Sequence, residues 1–107
     1  MLVRVAQPGR PAFQLRPREH GISVFDEHGV DPPLTETEIL ESFRSGSEAV
    51  RVSLEMVAAT GLTAVKVPGV PPLSDRLSEA HREIQPPAGM PRGEFKQQLR
   101  KLEPDGD

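Results

Sequence analysis

Proline and glycine recur so often in this chain that no element can run far. Together they make 21 of 107 residues, and clusters such as Pro8-Gly9, Asp31-Pro32-Pro33, Pro68-Gly69-Val70-Pro71-Pro72 and Pro86-Pro87 separate the apolar runs. Proline lacks an amide N–H and fixes φ, and glycine costs backbone entropy inside an element, so each cluster ends a helix or strand. Short elements joined by stiff loops are expected rather than a helical bundle. No internal repeat occurs at solenoid periods. The length suits one domain, placed at 1–103 with a polar tail at 104–107.

The apolar fraction of 36% supports a single modest core but is too high for a wholly disordered chain. A net charge of −3 gives no global field to attract nucleic acid or an anionic membrane. With no cysteine, disulfides and thiolate metal sites are excluded. No apolar run approaches the roughly 20 residues needed to cross a bilayer, and the N-terminus lacks a signal-peptide apolar region. A soluble, cytoplasmic protein is expected, with secretion by a route that needs no cleaved signal left open.

Leu2–Ala6 alternates β-branched residues around Arg4 and reads as a strand, with Arg4 on the face opposite Val3 and Val5. Residues 12–15 form a short extended piece and 16–20 a polar loop. Gly21-Ile22-Ser23-Val24-Phe25-Asp26 is the second strand. Ile22, Val24 and Asp26 share one face, Gly21, Ser23 and Phe25 the other. Glu27-His28-Gly29 is a turn. Thr35-Glu36-Thr37-Glu38 is a capping box, opening a helix over 36–44 whose apolar face is Ile39, Leu40 and Phe43, and Ser45-Gly46 stops it.

Residues 49–52 read as a strand, Ser53 caps a helix over 54–60 ended by Gly61, and 63–67 form another strand. That order places the helix across a sheet. Residues 74–80 read as a helix. Residues 81–85 fit two patterns: Ile84 continues the helical spacing of Leu77 and Ala80, but the alternation also fits a strand. Beyond Pro86-Pro87, Pro91 opens a last helix over 92–102 with Phe95, Leu99 and Leu102 as its buried stripe.

Most familiar chemistry finds no anchor here. His20, His28 and His81 are scattered without paired ligands, so no metal site is expected. Arg92, Lys96 and Arg100 make a basic stripe on the last helix. Without aromatics or a recognition motif it reads as a solvated face, and nucleic acid is not an expected partner. No phosphate loop and no nucleophile elbow occur. What remains is a polar trio in apolar segments. Arg4 offers a fork for phosphate or ribose oxygens, Ser23 a hydroxyl, and His81 an acid, base or hydrogen-bonding ring. Read blandly, the same three are an open-face cation, a small strand residue and a boundary histidine.

The trio lies in segments that resemble a known family. Gly21-Ile22-Ser23-Val24-Phe25-Asp26 and Arg76-Leu77-Ser78-Glu79-Ala80-His81-Arg82-Glu83-Ile84-Gln85-Pro86, with Met90 beyond, resemble motifs of the small bacterial ADP-ribosyltransferase-like toxins of the type VI secretion effector type. Leu2-Val3-Arg4-Val5 is similar to that family's first strand. The resemblance implies an α+β fold with a split, curved β core, three to four short helices, and a cleft that takes NAD as substrate. It favours a strand at 81–85. By carry-over, Arg4 would contact the NAD phosphates or ribose, Ser23 would support the nicotinamide-side ribose, and Ile22, Phe25 and His81 would also be NAD-binding residues. His81 would be a site residue, and Glu83, on the His81 face, would activate a nucleophile or steady the ribosyl cation. With no Tyr or Trp in the chain, Phe25 is the aromatic on the Ser23 face, and one ring alone makes no clamp. The implied activity is transfer of ADP-ribose to a cellular target or hydrolysis of NAD, as in toxin–antitoxin systems, with a cognate antitoxin or immunity protein as partner. The alternative is a catalytically degenerate protein-binding module of the same fold.

Overall fold

Hydroxyl side chains decide where three of the short helices begin. In the computed structural model, which describes residues 1–69 and 73–104, Thr35 Oγ1 accepts from the Glu38 amide at 3.1 Å, Ser53 Oγ from Met56 at 3.0 Å and Ser74 Oγ from Leu77 at 3.2 Å. Each satisfies an amide that the first helical turn leaves without a carbonyl. They open α1 (Glu36–Leu40), α2 (Leu54–Ala59) and α3 (Asp75–Ala80). The fourth, α4 (Arg92–Arg100), follows Pro91 without a side-chain cap. The strands are β1 (Leu2–Ala6), β2 (Ile22–Asp26), β3 (Glu48–Val52), β4 (Thr63–Lys66) and β5 (His81–Gln85).

These confirm the α+β class, with two adjustments. Helix α1 stops at Leu40 rather than running to 44, because Ser42 and Phe43 donate to the carbonyls of Ile39 and Leu40 and tighten the chain into turns. Glu38 does not reach back to complete its capping box. Its carboxylate is held by Arg76, with Nε and Nη2 at 2.7 and 3.2 Å. Of the proline-rich loop read at 68–72, residues 70–72 lie outside the described residues, as do residues 105–107 of the polar tail.

The strands form one sheet in the order β3-β1-β2-β5-β4, each pair antiparallel. Helix α2 carries the chain between the two edge strands, as the strand–helix–strand order implies. Alternation along the strands gives the sheet two apolar faces. Leu2, Ile22, Val24, Val52 and Ile84 lie on one, under Phe13, Leu15, Val57 and the α4 residues Phe95 and Leu99. Val3 and Phe25 lie on the other, with Leu34, Ile39, Leu77 and Ala80. Phe95 and Leu99 are 2% and 0% exposed, and burying each is worth about 1.5–3 kcal/mol, which secures a helix too short to persist alone.

The sheet is closed at one end and open at the other. β1 pairs with β3 along five positions, Leu2↔Val52 to Ala6↔Glu48, but meets β2 only at Leu2↔Asp26 and Val3↔Phe25. Beyond Val3 the two central strands diverge. Residues 7–21 connect them, and that segment inserts Ala12, Phe13 and Leu15 into the core beneath α4. The carboxylate of Glu103, just past α4, accepts from the amides of Ala12 and Phe13 at 2.9 and 2.6 Å and fixes the segment there.

Candidate functional site

Where β1 and β2 part, a cleft of about 460 Å³ opens beside the sheet. Strand alternation dictates its floor. Ser23 and Phe25 point to the same face of β2, and their cross-strand partners on β5 are Glu83 and His81. Ser23 therefore stands beside His81 and Glu83 of β5, from which it is distant in sequence. Val5, Val67, Pro68, Gly69 and Leu73 also line it.

His81 occupies the junction where α3 runs directly into β5, and it is 8% exposed. Its Nδ1 lies 2.7 Å from the carbonyl oxygen of Val67. A carbonyl can only accept, so Nδ1 carries a proton and donates it there, which leaves Nε2 as the ring nitrogen for a ligand. Phe25 packs edge-on against the imidazole at 5.5 Å between centroids and fixes its plane. Glu83 extends across Gly21, and its Oε1 accepts from Gln85 Nε2 at 2.9 Å. No side chain at 21 would leave this path clear. Ser23 is exposed at the mouth.

Phe43 is the residue the sequence reading placed elsewhere. Its spacing from Ile39 imitates a helical face, but α1 has ended by then, and the ring turns into the cleft. It meets Phe25 edge-to-face at 5.8 Å and remains 36% exposed. The cleft therefore has two phenylalanine rings, where the sequence pointed to one.

Two assigned residues stand differently from their expected roles. The Ile22 side chain is fully buried on the opposite face of the sheet, among Val24, Ile84 and the α4 residues, so it cannot contact a ligand in the cleft. Arg4 does reach the cleft and lies opposite Val3 and Val5, but it is no open-face cation. Its Nε donates to the Ala12 carbonyl at 2.9 Å and its Nη1 to the Ser23 carbonyl at 3.0 Å, bridging the gap between the diverging strands. Burial lowers its pKa from the ordinary arginine value. Glu19 opposes that shift, Arg16 adds to it, and Glu103 opposes it. It remains a cation at any physiological pH.

Among the described residues no cluster of three or more metal-ligating side chains occurs, and no helix is long and apolar enough to cross a membrane. Arg92 of the basic stripe donates to the carbonyls of Glu19 and Arg16, while Lys96 and Arg100 are exposed. No family model, no curated protein and no solved structure matches this chain.

Proposed function

We propose that the cleft binds NAD by its nicotinamide–ribose end and that the protein is an ADP-ribosyltransferase-like toxin, passing ADP-ribose to a cellular target or to water. The observation that carries this reading is the convergence of Ser23, His81 and Glu83 with two phenylalanine rings in one cleft of about 460 Å³. The rings offer an apolar slot for the nicotinamide, and Ser23 a hydroxyl for the ribose. As the C–N bond to nicotinamide breaks, its electron pair leaves with the neutral base and positive charge develops on the ribosyl carbon. The Glu83 carboxylate stabilises that charge. A lone pair of water or of an acceptor side chain closes the new bond at the ribosyl carbon, and His81 Nε2 takes the proton the nucleophile gives up.

Titration of isotope-labelled protein with NAD, followed by assay of released nicotinamide, tests the reading. Shifts should cluster on Ser23, Phe25, Phe43, His81 and Glu83, and Glu83→Gln should slow nicotinamide release by about 10²-fold or more, the usual scale for one electrostatic or acid–base group. If expression arrests growth, His81→Ala or Ser23→Ala should relieve the arrest in folded protein. Absence of both shifts and nicotinamide at millimolar NAD defeats the proposal.

One observation favours the catalytically silent, protein-binding alternative. Arg4 directs two of its donors at backbone carbonyls rather than into the cleft. A partner, such as an antitoxin or immunity protein, that co-purifies through the cleft face with no NAD response would establish that reading instead.

A further inference from the structure

A second, smaller groove of about 120 Å³ shares Arg4, Val5 and Phe43 with the cleft. Its walls carry Arg10 and Arg16 in addition to Arg4. Three arginines thus line one small groove in a chain whose net charge is −3.

The backbone holds this arrangement in place. Pro8-Gly9 makes a turn closed by the Arg10 amide on the Gln7 carbonyl at 3.3 Å. It requires the positive φ of +80° that Gly9 adopts, and it folds Arg10 back over the end of β1. Arg16 is fixed on both sides: its amide donates to Glu19 Oε1 at 2.8 Å, and its carbonyl accepts from the Glu19 amide at 3.0 Å and from Arg92. The Arg4 bond to Ala12 ties the intervening segment to β1. Among the described residues, neither the Arg10 nor the Arg16 guanidinium has a carboxylate within 4.0 Å. Of the two acids whose charges reach Arg4, Glu19 has its Oε1 engaged by the Arg16 amide, and Glu103 has both oxygens engaged by the amides of Ala12 and Phe13.

Uncompensated guanidinium forks on a fixed backbone match the oxygens of a phosphate, which each fork can hold bidentately. The groove is small, about 120 Å³, and its arginine lining suits anionic phosphate groups rather than a neutral base. We infer that the groove walled by Arg4, Arg10 and Arg16 is a diphosphate-binding site, sharing Arg4, Val5 and Phe43 with the cleft. Its role as the seat of a dinucleotide's bridging diphosphate rests on the NAD reading above. Arg10 and Arg16 then supply the phosphate contacts, and Arg4 adds its charge while its hydrogen bonds hold the strands.

The test uses the full chain and two probes, inorganic pyrophosphate and nicotinamide riboside, which carries no phosphate. Pyrophosphate should shift the resonances of Arg10, Ala12, Gln14 and Arg16. Its affinity should fall at least about tenfold in Arg10→Gln/Arg16→Gln, the scale of losing charge-assisted hydrogen bonds. The charge-matched variant Arg51→Gln/Lys66→Gln, altered at the edge strands, should bind pyrophosphate as the parent does. Nicotinamide riboside binding should be unchanged by Arg10→Gln/Arg16→Gln. Equal loss of pyrophosphate affinity in both double variants, equal competition by sulfate at matched ionic strength, or no pyrophosphate binding would overturn the site. Pyrophosphate binding at the groove without NAD turnover upholds the site and removes the transferase reading. Nicotinamide release indifferent to Arg10→Gln/Arg16→Gln does the reverse.

Discussion

Glycine 21 shows how one absent side chain shapes the site. A Cβ built there would stand 2.5 Å from both Cγ and Oε1 of Glu83 and 2.7 Å from its Cδ. The obstacle is a flexible side chain rather than backbone, and Gly21 does not occupy the left-handed region, so alanine is tolerated by the fold but not by the position of Glu83. Gly21→Ala is expected to change unfolding free energy by less than about 1 kcal/mol, since any local crowding is offset by reduced freedom of the unfolded chain. The carboxylate should rotate away and release the Gln85 side-chain amide, moving that amide's NMR signals, and nicotinamide release should fall towards the Glu83→Gln level. An unmoved Gln85 amide would show that Gly21 does not guard the carboxylate. The sequence presents Gly21 only as the opening of a strand, because nothing local tells which side chain of β5 will lie over it.

At the scale of elements, what was legible is what local chemistry controls. The caps at Thr35 and Ser53, the proline breaks and the strand alternation all lie within a few residues of the structure they cause. The ambiguity at 81–85 had a physical origin. Leu77 and Ala80 belong to one core and Ile84 to the other, so a spacing that imitates one helical face spans two faces of the sheet. The break between α3 and β5 depends on pairing with β2 and β4, which no local signal reveals. The same limit hid the Glu38–Arg76 contact, which joins α1 to α3 and leads on to the Pro32 carbonyl through Arg76 Nη2 at 2.8 Å. The Arg76 hydrogen bond holds the Glu38 carboxyl below its ordinary value, and Lys66 does the same for Glu79. A lowered folded value means stability present above the unfolded carboxylate pKa and lost as pH falls through the folded one. Stability should therefore decline on acidification from about pH 5 to pH 3. In Arg76→Gln that decline should be shallower, with a remainder from Glu79, as measured by urea unfolding at each pH. Both pairs are solvent-screened, so the effect is modest, and an identical slope in the variant would mean that the contact does not act on stability.

For the molecule as a whole, the decisive feature is a sheet joined at one end of its central strands and parted at the other. A parted sheet exposes backbone groups that would otherwise pair, so something must hold the strands at a fixed distance. Arg4 meets that need from β1 by donating to Ser23 on β2 and to Ala12 in the connecting segment. Arg4 lines both the cleft and the arginine-lined groove, so both depend on that gap. Arg4→Met keeps much of the side chain's bulk but removes both bonds. Each charge-assisted bond contributes about 1.5–3 kcal/mol and water can partly replace the donor to Ser23, so a loss of about 2–4 kcal/mol is expected. For a chain of this size that is a fall in melting temperature of roughly 10 °C or more. Hydrogen exchange should accelerate first at residues 12–15 and 23, before β4 and β5, because the opening begins where the strut was lost. Arg10→Gln, which removes a neighbouring charge that bridges no strands, should melt as the parent does. If Arg4→Met also melts within a degree or two of the parent, about the shift of a substitution that breaks nothing, the gap is maintained by the packing of Phe13 and Leu15 alone, and Arg4 is free to serve the ligand.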